Sequence, residues 1–396
     1  MSTKLFLEGN PGRRTIALPV DATSHRYRLA IIDPAVLQRI DAFISSRDFD
    51  PPDLVITVEL FKDAHLDCVL ARDYSAADCE VFSGRVAGAE ESCVVMTKRE
   101  DMLALDIWYD GVEYQVVPVS DDVYLIEQVN LDAPIECASD EAGTATDYAE
   151  PEDSESSSDI SGVVSEISVN VLVIYESQVE ISAGGPKALR SQIDLMVANL
   201  NKALRRSLVG TGTSVVVTLC GPLKHDFPNL SPNNSIATNE LRDSALVRAW
   251  RNQYGADLVS LLRATEGTSA ADILHRSKGD PSEAFSAVKF SQARQRHTFS
   301  HEIGHNFGCP HDKENARLNG VNTNNDGIFW GYNWRHKDHR HGTLMSYPGK
   351  RILYFSNPNV SFMGEPTGRA NAFNAAAIAQ TAHAVAKYRH ETQTAS

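Results

Sequence analysis

The 396-residue sequence predicts an α/β domain built on a largely parallel sheet, preceded by a small β-rich domain. Three observations lead there. Apolar residues alternate with period two through much of residues 15–130, the signature of half-buried strands. Residues 138–162 then carry eight acids, no base and almost no bulky apolar side chain. From residue 168 onward, short apolar runs alternate with amphipathic stretches of helical period, a pattern that specifies a parallel sheet flanked by helices.

The expected elements follow in order. Residues 27–32, 54–60, 92–96, 103–109 and 113–119 read as strands separated by turn residues. Residues 34–44 read as a helix, because Val36, Leu37, Ile40, Phe43 and Ile44 share one face and Pro34 suits the first turn. This gives a β-rich domain over 1–137. Residues 138–166 are expected to be a disordered acidic linker, since such a composition cannot offset its ordering entropy by burial. In the third segment, 167–396, residues 168–175 form a buried strand and 186–207 a long amphipathic helix. A strand at 214–219 and a helix at 238–254, capped by Thr238 and stopped by Gly255, come next. Strands at 256–262, 270–274 and 284–290 complete the pattern.

Charge is distributed unevenly. The total is −15, with residues 1–99 at −3, residues 100–186 at −21 without a single Lys or Arg, and residues 187–396 at +9. The acidic total argues against nucleic acid or an anionic membrane as the main partner. No apolar run reaches the 18 or so residues of a membrane span. Leu5-Phe6-Leu7 before Glu8 is too short for the core of a signal peptide, so the sequence as written is not expected to enter the general secretory route. Six cysteines without a CxxC spacing do not suggest a disulfide scaffold.

The chemistry concentrates at 297–312, HTFSHEIGHNFGCPHD. Four residues apart on a helix, His301 and His305 present their imidazoles on one face and can share a zinc ion. Glu302 stands at the edge of that face, within reach of a water but not obliged to bind metal, and is the expected general base. Gly308 can adopt the left-handed conformation that ends the helix and returns the chain, bringing His311 to the same ion. Three neutral histidines leave a position open for water, as catalytic zinc sites do. His297, His336, His339 and His341 lack ligand spacing and are expected to be exposed.

HExxHxxGxxH followed by a Met-turn resembles the metzincin signature, and Asp312 directly after the third histidine is similar to the reprolysin or adamalysin branch. The Met-turn matches at residues 343–347, TLMSY; residues 351–370 and a helix at 374–388 look like those of bacterial reprolysin-like zinc metallopeptidases, the group that includes the peptidyl-Asp metalloendopeptidases. The resemblance covers about 167–390. It implies an α/β zincin catalytic domain with a mixed, mostly parallel five-stranded sheet above the cleft, and Met345 as a structural floor beneath one catalytic zinc. It further implies peptide or protein substrates, and it favours an extracellular location although no signal peptide is visible. Tyr347 stands where related Met-turns carry a tyrosine that ligates zinc or stabilises the oxyanion; packing is the alternative.

Some residues leave alternatives open. Cys309 can pair with Cys220, stay a buried thiol, or act as an extra soft ligand. Cys137, at the start of the linker, is either an incidental thiol or the donor that fills the fourth zinc position and keeps the enzyme latent. Residues 322–327 partly match a calcium loop, but position twelve is Asn333 rather than Glu, so calcium is carried as a second ion on that partial motif alone. The expected protein is a monomeric zinc endopeptidase made as a zymogen. A zinc-binding interaction module on the same fold is the competing function, and the intact Glu302 counts against it. Substrate is expected to extend along the strand at 270–274 through backbone hydrogen bonds.

Overall fold

The computed structural model describes residues 3–7, 24–46, 53–76, 78–131, 137–138, 166–265, 267–274, 278–318, 330–336, 339–347 and 350–389. Residues 139–165 of the linker expected at 138–166, and most of the calcium-like loop, including 322–327, lie outside the described residues. Two compact units emerge. The first comprises 1–133 with 178–199 and 294–296, and the second comprises 134–177, 200–293 and 297–396.

The first unit is a nine-stranded sheet. From Leu54–Phe61 through Ala64–Ala76, Cys79–Val86, Ala89–Arg99, Met102–Tyr109, Val112–Pro118 and Tyr124–Val129, each strand pairs antiparallel with the next. Ser24–Ala30 closes one edge and Thr3–Lys4 the other. Strict alternation along Leu54–Phe61 buries Leu54, Ile56, Val58 and Leu60. They join Leu70, Phe82, Met96, Leu105, Val116 and Ile126 in one core, completed by Val36 and Ile40 from the helix Pro34–Ser45. The strands 64–76, 79–86 and 124–129 had not been expected from the sequence, although Leu66, Cys68 and Leu70 carry the same alternation.

A row of polar side chains on this sheet is also buried. Register aligns Asp106 with Gln115 and Gln115 with Glu127 across three strands. The Gln115 amide donates to Asp106 (3.2 Å), to Glu113 (2.8 Å) and to the Arg294 carbonyl (3.0 Å). Asn199 donates to Asp106 at 2.8 Å, while the Arg294 guanidinium donates to Gln115 Oε1 at 2.7 Å and pairs with Glu127. Removing one partner of such a pair leaves a buried charge uncompensated. Arg294→Met is therefore expected to destabilise the unit by about 3–5 kcal/mol, and adding Glu127→Leu to recover much of that loss. Thermal and urea unfolding of the two variants checks this; a double variant no more stable than the single one contradicts it.

The second unit carries the sheet that positions the site. Glu166–Tyr175 lies between Ser214–Leu219 and Leu258–Arg263, all parallel, and Phe285–Lys289 continues the parallel order. Ala270–Ala271 ends it as an antiparallel edge strand, two residues long where five had been expected. The main path thus has five strands, and a sixth of two residues, Leu223–Lys224, also pairs with Glu166–Tyr175. The stretch expected as one helix at 238–254 is two, Asn234–Asp243 and Ala245–Gln253. Asn233, not Thr238, caps the first, and Ser244 ends it and caps the second by accepting from the Val247 amide. Asn374–Val385 is the last helix.

Candidate metal centre

The active-site helix is Thr298–Asn306, and every residue in it is buried. Gly308, at φ +85°, turns the chain after it, a conformation that a side chain would strain. His311 follows in the returning segment. The helix rests on the Met-turn at Gly304, where a Cβ would lie 2.7 Å from Met345 Sδ and 2.8 Å from the Phe355 ring. A side chain there would force Met345 or the Phe355 ring to shift, so Met345 packs directly against the helix.

The three imidazoles converge through their Nε2 atoms. His301 and His311 are 3.2 Å apart, His301 and His305 3.2 Å, and His305 and His311 3.1 Å. On His301, Nδ1 sits 2.7 Å from the Leu344 carbonyl, and on His305 it sits 2.8 Å from the Cys309 carbonyl. Carbonyl oxygens only accept, so both Nδ1 atoms carry the proton and both Nε2 atoms present a lone pair. Lone pairs at this separation repel unless a cation lies between them. Tetrahedral ligands about 2.0–2.1 Å from zinc would be about 3.3–3.4 Å apart, close to the observed triangle. Burial drives the His301 pKa well below its ordinary value, with the charge of Arg351 adding to the effect. The neutral form needed by a ligand is thereby favoured.

Cys137 joins the histidines in one potential metal-binding group. Its Sγ lies 3.6 Å from His305 Nε2 and 3.5 Å from Glu302 Oε2. Two hydrogen bonds to one hydroxyl hold its backbone: the Cys137 amide donates to Tyr347 Oη at 3.0 Å, and that hydroxyl donates to the Cys137 carbonyl at 2.9 Å. Cys137 also bridges Ser269 in parallel, and the Ala138 amide donates to the Ser269 carbonyl at 2.8 Å. The segment therefore occupies backbone positions next to the edge strand Ala270–Ala271.

Other predicted residues are placed as follows. The Tyr347 ring stands edge-on to His311, with centroids 4.6 Å apart, and burial raises its phenol pKa. Cys309 is a buried thiol whose Sγ faces the Asn374 carbonyl at 3.6 Å, it forms no disulfide with Cys220, and among the described residues it is not in the group around the three histidines. Two histidines correct the sequence expectation of exposure. His297 is 3% exposed at the entry to the active-site helix, and burial holds its pKa down to about 3. His341 is 2% exposed because the ring of Trp334, its cross-strand partner, and that of Phe362, in a later segment, stand 5.8 and 6.0 Å from it.

Sequence reasoning also missed supporting residues. Asp312 accepts from the Tyr347 amide at 3.0 Å, tying the third histidine's segment to the Met-turn. Asn306 donates to the carbonyls of Asp272 and Phe285, at 3.0 and 3.1 Å, fastening the helix to the edge-strand region. Arg351 is 1% exposed and donates to the Ser346 carbonyl at 3.1 Å. The local signal for Asp312 and Asn306 was adjacency to the histidines; Arg351 had none.

A parallel sheet with one antiparallel edge, above a helix whose two histidines meet a third beyond a glycine turn, defines a metal-dependent peptidase of the zincin class. Residues 165–356 match a family model described as Metallo-peptidase family M12, and the chain is a metalloendopeptidase that resembles the reprolysin group. It is similar to the Peptidyl-Asp metalloendopeptidase of Xanthomonas campestris, 24% identical over 302 residues that span 74% of this chain and 69% of that protein. The protein of the same name from Stenotrophomonas maltophilia strain K279a is 25% identical over 320 residues, 75% of this chain and 70% of that protein. A crystal structure of metalloproteinase-II from Bacteroides fragilis aligns with TM-score 0.42 at 13% identity, covering 70% of this chain and 84% of that one. No helix among the described residues is long and apolar enough to cross a membrane.

Proposed function

We propose that the protein is a zinc endopeptidase, made as a zymogen, that hydrolyses peptidyl-Asp bonds. The observation that carries this is the triangle of Nε2 atoms with Glu302 beside it. His301, His305 and His311 hold the ion. A zinc ion held by these residues would supply Lewis acidity, lowering the pKa of a water toward neutrality. Glu302 accepts the proton of the attacking water and returns it to the leaving amine. Its burial keeps bulk water from competing for that proton. The Tyr347 hydroxyl, released from the Cys137 backbone, donates to the oxygen on which charge develops. Substrate takes the backbone positions along Ala270–Ala271 that residues 137–138 hold in this state. Specificity for Asp rests on the names of the similar proteins.

Purified full-length chain, incubated with zinc or with a chelator and then with a proteome-derived peptide library, tests the reading. The expected results are about one bound zinc per chain and chelator-sensitive cleavage on the amino side of Asp. Self-cleavage within 138–166 is expected as well. Zinc binding with no cleavage of any peptide, before or after self-processing, would return the protein to the class of binding modules.

A further inference from the structure

We propose that a cavity beside the helices Asn234–Asp243 and Ala245–Gln253 is an anion site, taking an oxyanion group, phosphate or carboxylate, carried on a small molecule. The cavity has a volume of about 400 Å³ and lies wholly in the second unit. Its walls come from residues 242–252, 281–285 and 389, apart from the histidines and glutamate of the metal centre. Four arginines, Arg242, Arg248, Arg251 and Arg389, line it together with the Phe285 ring, and Asp243 is the one acid among the described lining residues.

The guanidiniums are held largely by backbone carbonyls, which fix their positions and leave donors over. Arg251 is 3% exposed; its Nε donates to the Ala256 carbonyl at 3.1 Å, its Nη1 to the Pro281 carbonyl at 2.8 Å and its Nη2 to the Asp257 carbonyl. Burial holds its pKa down to about 9, the charge of Arg389 adds to the effect, and Asp257 offsets part of it. Two like charges are therefore kept close beside one cavity. Arg248 is exposed and uses Nη1 alone, on the carbonyls of Arg242 at 3.2 Å and Asp243 at 3.0 Å. Arg242 gives Nη2 to Asp272 at 3.0 Å and to Asn239, while its Nε is enclosed without an acceptor among the described residues. A buried donor left in that way is costly, and an acceptor arriving in the cavity that Arg242 lines removes the cost. The planar forks of Arg242 and Arg248 suit the oxygens of a carboxylate or phosphate. A volume of this size is within the roughly 300–1,000 Å³ of small-molecule sites, so the oxyanion enters on a larger body that packs against Phe285.

Titration calorimetry on the full-length chain, at an ionic strength held constant with chloride, tests the site with inorganic phosphate and with succinate. Saturable binding of at least one of them is expected, with a Kd of about 1 mM or tighter that is the same with zinc and with a chelator. The tighter of the two names the source, phosphate or carboxylate. Arg248→Gln should weaken binding about tenfold, the scale of one charged hydrogen bond. Asp243→Asn removes the acid from the lining and should tighten binding at least about twofold. Both side chains are exposed, so both variants are expected to fold, which thermal unfolding checks. Heats no different from those of added chloride overturn the site, and so does saturable binding that neither variant alters. Binding seen only with zinc belongs to the metal centre and overturns it as well. Peptide hydrolysis does not enter the readout, so each of these failures leaves the peptidase function standing.

Discussion

Glu302→Gln is expected to lower kcat/KM by about 10²–10⁴-fold while zinc stays bound at the wild-type stoichiometry. Glutamine has nearly the same shape, so the helix Thr298–Asn306 and its three histidine contacts persist. What disappears is a carboxylate able to accept a proton. Glu302 is fully buried, its Oε2 faces the same thiol that approaches His305, and it stands outside the group of Cys137 and the three histidines that could hold a metal. A ligand and a base make opposite predictions for metal content. If Gln lost the zinc, Glu302 would be a ligand; if Gln turned peptide over at the wild-type rate, another group would be the base. Hydrolysis kinetics together with metal analysis on one preparation separate the three outcomes, and the intact fold is checked by thermal unfolding.

The convergence of the three imidazoles was legible because its determinants are local. Two histidines four apart meet by helix geometry alone, and Gly308 supplies the positive φ that brings His311 back. The parallel strands at 168–175, observed as Glu166–Tyr175, and 214–219 and the helix at 186–207 were legible for a similar reason, since an unbroken apolar period fixes the type of an element and most of its length. Legibility failed where the decisive partner was remote. His341 reads as polar in sequence and is buried in part by Phe362, from a later segment, whose approach the spacing of the sequence does not show. The helix at 234–253 was a failure of another sort. Asn233 and Ser244 are both good caps, and continuous apolar spacing across Ser244 hid the break. In the N-terminal sheet the row Asp106, Gln115, Glu127 looks like a solvated face, and only long-range packing makes it a buried network.

Cys137→Ser in the full-length chain is expected to raise activity before any self-processing by roughly tenfold or more, the scale on which the loss of one group near a zinc changes its chemistry. A thiolate is a strong zinc donor and excludes the water that the reaction needs, whereas a serine hydroxyl neither ionises at neutral pH nor binds zinc comparably. The sulfur is already aimed: 3.6 Å from His305 Nε2, with Tyr347 gripping the backbone on both sides and Ser269 fixing the register. The serine variant keeps those backbone bonds, so residues 137–138 still compete with substrate, and the gain measures the sulfur alone. Latency by charge predicts something different. If the −21 segment masked the +9 catalytic part, high salt would activate wild type and the serine variant would stay silent at low salt. Peptide hydrolysis measured within the first minutes, across a salt series and with gels to exclude processing, distinguishes the two. Once cleavage within 138–166 has detached residue 137 from the catalytic part, wild type and variant should converge to the same rate, because the sulfur is then free to leave the site. Persistent difference after processing would mean that Cys137 stays bound and that latency ends by another step.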